Sequence, residues 1–230
     1  MYDTDKKSMI LQRRILGILC IILAPTSIIF GLFGLDVNPN YWYTSISATY
    51  WSNSKELMIG LLFTTSVFFF SYKGYDWKDR VCSIVQAICA LGVILFPVRS
   101  QIYSKRIGLF LLPESVSNIL HLITSGTLFL TFAINILCLF TIGSNEPTEK
   151  KLLRNKIYRI CGILILVGLA FIALKCFPPF NKIPQWFPYT MICEFVLLSS
   201  FGFAYLVKSE AINKFNDDVV FYSSYISDEQ

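Results

Sequence analysis

Read for hydrophobic and polar positions, the chain alternates six long apolar stretches with short polar ones. The apolar stretches cover 15–35, 57–72, 81–97, 116–142, 157–176 and 187–207 and are nearly free of charge. A helix crosses the hydrocarbon core of a bilayer with roughly 20 apolar residues. Each stretch reaches that length once its flanking aromatics are included. The pattern predicts an all-α, multi-pass transmembrane bundle of six helices. It divides the chain into an arm at 1–14, the membrane domain at 15–207 and a tail at 208–230. The first span is too long for a signal-peptide core, and no small-residue cleavage site follows it, so helix one is expected to stay in the protein.

Composition supports this division. Of 230 residues, 54% are hydrophobic, 16% aromatic and only 15% charged, against about 25% charged in an ordinary soluble domain. The connecting segments are too short to build a core of their own. The formal charge of +5 is spread in a way that orients the protein. With both termini in the cytoplasm, fourteen Lys and Arg fall on inner segments and six on outer ones, the bias of the positive-inside rule. Arg99, Lys105 and Arg106, after the third span, run against it. No basic stripe of the kind nucleic acid requires is present, so no nucleic-acid partner is expected. Membrane lipids are the expected partner, homo-oligomerisation is left open, and a bacterial cytoplasmic membrane is the expected location.

Candidate chemistry is confined to ionisable groups inside the spans, which cost several kcal/mol unless they are paired or functional. His121 lies about 8 Å into the fourth span and Glu194 about 10 Å into the sixth, from the same side, at the rise of a helix. Arg99 and Lys175 end their spans near that level and can snorkel toward it. The aromatic loop before the second span offers Ser45, Ser47 and Tyr50. The fourth span carries a polar stripe of Asn118, His121, Thr124, Ser125, Thr127, Thr131 and Asn135, which should face the bundle interior. Ser45, Ser47, Tyr50, Arg99, His121, Thr124, Ser125, Lys175 and Glu194 therefore make one candidate outer-leaflet pocket, with His121 and Glu194 as its candidate acid–base pair. The simpler alternative is an ion pair of Glu194 with Arg99, Lys175 or His121 that fixes helix packing. Asp76 and Asp79 are expected in a solvated loop.

Other chemistries do not fit. One histidine cannot build a His-rich zinc site, and no Cys/His cluster replaces it, so no metal is expected. Phosphate-loop, dinucleotide-binding and hydrolase-elbow patterns are missing, so no cofactor is expected. The seven cysteines include no CxxC spacing and mostly lie within spans, as small packing residues do. Cys176 and Cys193 both lie toward the outer ends of their helices, but a disulfide between them is not expected.

Several runs occur together: S-I-S-A-T-Y-W before helix two, Y-K-G-Y-D-W at its end, and L-G-V-I-L-F-P closing helix three. His121 opens helix four, N-K-I-Y-R-I-C-G enters helix five, and Glu194 with F-G-F-A-Y-L-V-K forms helix six. In this order they resemble a group of small six-helix bacterial membrane proteins without assigned chemistry. The resemblance implies the same architecture over nearly the whole chain. It marks Ser45, Ser47, Tyr50, Lys73, Gly74, Tyr75, Asp76, Pro97, His121 and Glu194 for testing. A distant similarity to the alkaline ceramidase and progestin-receptor-like membrane hydrolases implies serine, aspartate and three histidines around zinc on seven helices, which this chain lacks. Three functions stay open: lipid or amphiphile binding, lipid hydrolysis in the membrane, and proton-coupled transport through Glu194.

Overall fold

The computed structural model describes residues 2–32, 44–99, 106–142, 148–175, 177–178 and 187–217. Among them are six long helices: α1 (Tyr2–Leu32), α2 (Lys55–Ser71), α3 (Trp77–Leu95), α4 (Glu114–Ile134), α5 (Glu149–Leu174) and α6 (Tyr189–Lys208). Each packs on the next in sequence, and α1 closes the circle on α6, so the bundle is a ring in chain order. Packing of each helix on its neighbours in sequence produces this arrangement without any crossover.

The sidedness of the helices is that of a protein solvated by lipid. Large apolar side chains lie exposed along the outer faces, including Phe63 and Val67 on α2, Ile119 and Ile123 on α4, and Ile163, Val167 and Phe171 on α5. Polar groups are turned inward, among them Arg13, Asp79, Gln86, His121, Asn135 and Glu194. Lipid offers no hydrogen-bond partners, so polar side chains belong in the interior and apolar ones can face out. Four helices, α1, α4 with its C-terminal extension, α5 and α6, are long and apolar enough to cross a membrane. The other two fall short for simple reasons. α2 has 17 residues, about 26 Å at the helical rise, and α3 opens with Lys78, Asp79 and Arg80.

The expected arm at 1–14 is not a separate segment. Helix α1 begins at Tyr2, continues through Pro25, and buries Arg13 to 1% exposure. The beginning of the 208–230 tail also packs back: Arg154 pairs with Asp217 at 2.7 Å and donates to the Phe215 carbonyl. The Thr148 hydroxyl and Arg154 hold the Asp217 carboxylate below its ordinary range. Residues 218–230 lie outside the described residues, as do Cys176 and Tyr41, Trp42 and Tyr43 of the aromatic loop.

Two small elements were not legible as patterns. Arg106–Ile107 (β1) pairs antiparallel with Leu112–Pro113 (β2), turning through Gly108 at φ +74° and presenting exposed Leu109, Phe110 and Leu111 at its tip. At the end of α4, Asn135–Leu139 form a π-turn, with the Phe140 N–H donating to the Asn135 carbonyl at 3.0 Å. Such turns insert a residue into the helix and recur at functional sites.

Helix spacing is set by glycine at several crossings. A Cβ at Gly202 would stand 2.6 Å from the Gly17 carbonyl oxygen, and one at Gly17 would stand 2.9 Å from the Gly202 oxygen, so α1 and α6 touch backbone to backbone. On α3, Gly92 receives the Thr124 side chain of α4, and on α5, Gly168 receives Leu197 of α6. Close approach through small residues replaces the missing hydrophobic drive between helices in lipid.

Candidate functional site

The predicted site residues fall into two groups at one end of the ring. Residues 44–51 tuck against the start of α6, where the first backbone N–H groups of a helix need partners. The Met191 N–H donates to the Thr44 carbonyl at 3.1 Å. In return, Glu194 receives this segment: the Ile46 N–H donates to Oε2 at 2.5 Å, the Ser47 N–H to Oε2 at 3.4 Å, and the Ser47 hydroxyl to Oε1 at 3.3 Å. Glu194 is 8% exposed. Converging amide donors can hold such a group without a cation. Ser45 is buried and accepts from the Ala48 N–H at 3.0 Å, closing the turn that leads into the short helix at Ser47–Trp51. Tyr50 is buried beside Trp51, with the Lys55 ammonium over its ring at 4.7 Å.

The second group closes α3 against α4. His121 Nδ1–H donates to the Phe96 carbonyl at 2.8 Å, the proton assigned to Nδ1 because a carbonyl can only accept. The Ser117 hydroxyl donates to the Pro97 carbonyl at 2.9 Å. These are carbonyls at the C-terminal end of α3, where the helix leaves them unpartnered. The L-G-V-I-L-F-P run and the histidine thus meet as a helix end and its side-chain cap. We predict that His121→Phe costs about 1–3 kcal/mol, the penalty of an orphaned buried acceptor, in thermal unfolding.

Among the described residues no hydrogen bond or ion pair joins His121 to Glu194, nor Glu194 to Arg99 or Lys175. Arg99 reaches Glu114 at 3.5 Å from an exposed position. Lys175 donates to the Thr190 hydroxyl at 3.3 Å and lies within electrostatic reach of Glu194. Thr124 and Ser125 return their hydroxyls to carbonyls one turn back, Leu120 and His121.

What gathers around Glu194 is a recess on the axis of the ring. Leu23 of α1, Met58 and Leu62 of α2, Val93 of α3, Leu128 and Phe129 of α4 and Leu198 of α6 wall it. Ser47, Ser125 and Glu194 are its polar points. Helices α4 and α6 therefore do face each other, and below the recess Phe132 and Phe201 stack at 3.5 Å. Phe69, Phe129 and Tyr205 pack around that stack. Aromatic carbon fills the axis between the recess and the opposite end.

That opposite end holds a polar cluster whose members the sequence alone did not bring together. Asp79, expected in solvent, is 4% exposed; Asp76 stays exposed. Arg13 Nε donates to the Tyr72 hydroxyl at 2.8 Å, Tyr72 donates to Asp79 Oδ2 at 3.1 Å, and the Arg13–Asp79 ion-pair distance is 3.9 Å. The Tyr75 N–H adds 3.2 Å to Oδ2, and Asn135, at the π-turn, donates to Oδ1 at 3.4 Å. The Y-K-G-Y-D-W run builds this. Gly74 turns at φ +72°, leaving no room for a Cβ against Asp79. Asp76 caps α3 by accepting from the Asp79 N–H at 2.8 Å. The usable signal was that two tyrosines and two aspartates surround a glycine turn within eight residues. The partner, Arg13, lies 59 residues from Tyr72.

Comparison with family models, with curated proteins and with solved structures gives no match for this chain.

Proposed function

We propose that this is an integral protein of a bacterial cytoplasmic membrane, crossing it six times with both termini inside, that binds one chain of a lipid or another amphiphile in the axial recess. The observation that carries this reading is the recess itself: apolar walls from five helices converging on one carboxyl group. Ligand pockets have this composition, mostly apolar with a few placed polar groups. The Glu194 carboxyl and Ser47 suit a head group that donates hydrogen bonds, and Leu62, Leu128 and Leu198 suit its chain.

Hydrolysis and transport receive less support. General acid–base work needs both groups within hydrogen-bond reach of one reacting atom, while His121 Nδ1 is engaged by Phe96. A proton path needs polar groups through the full depth, while Phe132 and Phe201 stack across the axis.

The test uses the full chain in phosphatidylcholine nanodiscs and a fluorescent single-chain amine, with Leu62→Trp to fill the recess and Glu194→Gln to keep its shape. Leu62→Trp is expected to abolish saturable binding, and Glu194→Gln to weaken it about tenfold, as loss of a charge-assisted hydrogen bond does. Parental binding by both variants would refute the reading.

A further inference from the structure

The end of the bundle that carries Arg13 also holds more positive charge than its acids balance. Four cations approach one another there, with Arg13, Lys151 and Arg154 all within electrostatic reach of Lys208. Arg13 has Asp79, and Arg154 has Asp217. Lys151 and Lys208 have no carboxylate at ion-pair distance among the described residues. Both ammonium groups donate instead to one oxygen, the Phe140 carbonyl that follows the π-turn, at 3.4 and 3.2 Å. Lys151 adds the Ile142 carbonyl at 3.2 Å. Lys208 also meets the ring faces of Phe140, Tyr75 and Tyr158, at 5.2, 5.7 and 5.8 Å, and lies within electrostatic reach of Asp79.

The second observation is the Tyr158 hydroxyl. The side chain is 1% exposed, and its hydroxyl has no hydrogen-bond partner, although it lies within electrostatic reach of Arg13 and Arg154. An unmade hydrogen bond at a buried hydroxyl is destabilising, and native interiors rarely leave one. Here its ring lies 5.8 Å from the Lys208 ammonium, among four cations that share two carboxylates, Asp79 and Asp217.

We infer that this end of the bundle binds a phosphate group, held by the Lys151 and Lys208 ammonium groups and the Tyr158 hydroxyl. Lysine acts as a compact point charge toward phosphate, a hydroxyl supplies a donor, and basic pockets between helices take lipid head groups in this way. The phosphate belongs either to an anionic lipid, entering from the leaflet, or to a soluble ion.

The experiment places the full chain in phosphatidylcholine nanodiscs and titrates phosphatidylglycerol or inorganic phosphate, reading the unfolding temperature and bound lipid by native mass spectrometry. Lys151→Gln, Tyr158→Phe and the exposed control Lys156→Gln are compared with the parent. Lys151→Gln and Tyr158→Phe are expected to weaken binding about tenfold, the loss of one charge-assisted contact, with Lys156→Gln unchanged. Tyr158→Phe is decisive, because a hydroxyl with no ligand can be removed without loss. Stabilisation by phosphatidylglycerol alone identifies a lipid phosphate, and stabilisation by inorganic phosphate identifies a soluble one. Parental binding in Lys151→Gln and Tyr158→Phe, or an equal loss in Lys156→Gln, overturns the site and leaves the lysines as caps on the Phe140 carbonyl.

Discussion

Asp79→Ala is expected to destabilise the bundle by about 3–5 kcal/mol, the cost of leaving one member of a buried ion pair uncompensated. Arg13 would keep its burial at 1% and lose its carboxylate. The Tyr72 hydroxyl, the Tyr75 N–H and the Asn135 amide would lose their shared acceptor as well. Asp76→Ala, three residues earlier, removes only a helix cap and should cost about 1 kcal/mol. Thermal unfolding of both variants in one detergent separates the two magnitudes. The double replacement of Arg13 by Met and Asp79 by Leu should recover part of the loss, because apolar side chains need no partner there. Equal effects of Asp79→Ala and Asp76→Ala would mean that Asp79 is solvated.

The second large effect is expected at the α1–α6 crossing. Gly202→Val would place carbon against the Gly17 carbonyl oxygen and the Ile21 backbone nitrogen, 2.6 and 3.1 Å from the first added atom. Backbone cannot move aside as a flexible side chain can, so the two helices must separate. Overpacking of this kind costs about 1–3 kcal/mol and sometimes more. Gly60→Ala and Gly126→Ala serve as controls, since a Cβ at either meets nothing within 4 Å. Both should be neutral or slightly stabilising, because alanine favours a helix interior over glycine by about 1 kcal/mol. The contrast is read as the shift in unfolding temperature and as resistance to unfolding in dodecyl sulfate.

What the sequence made legible follows from the strength of each physical signal. Lipid imposes a long, one-sided constraint on apolar residues, so the positions of all six helices could be read from hydropathy alone. The inward direction of Glu194 and His121 was legible for the same reason. Their partners were not, because those partners are backbone groups. The Ile46 N–H and the Phe96 carbonyl carry no side-chain signature, and any residue could have supplied them. Arg13 was hidden by its neighbours: polar residues at 2–14 resemble a solvated arm until the ring closes and α1 meets the turn at 72–76. Asp79 was hidden likewise, since it follows Asp76 and Lys78, both exposed, and only its helical phase turns it inward. Gly17 and Gly202 lack the four-residue spacing within one helix that marks a small-residue face, and their value appears only when the two helices cross.

On the proposed function the axial recess, and not the outer apolar belt alone, takes up an amphiphile. A diazirine-bearing fatty amine, photolysed with the full chain in phosphatidylcholine nanodiscs and mapped by peptide mass spectrometry, tests it most directly. Adducts at Met58, Leu62, Leu128 or Leu198, lost in Glu194→Gln, are the result this structure predicts. Adducts confined to outward residues such as Phe63, Ile123 and Val167, and unchanged in that variant, would contradict it.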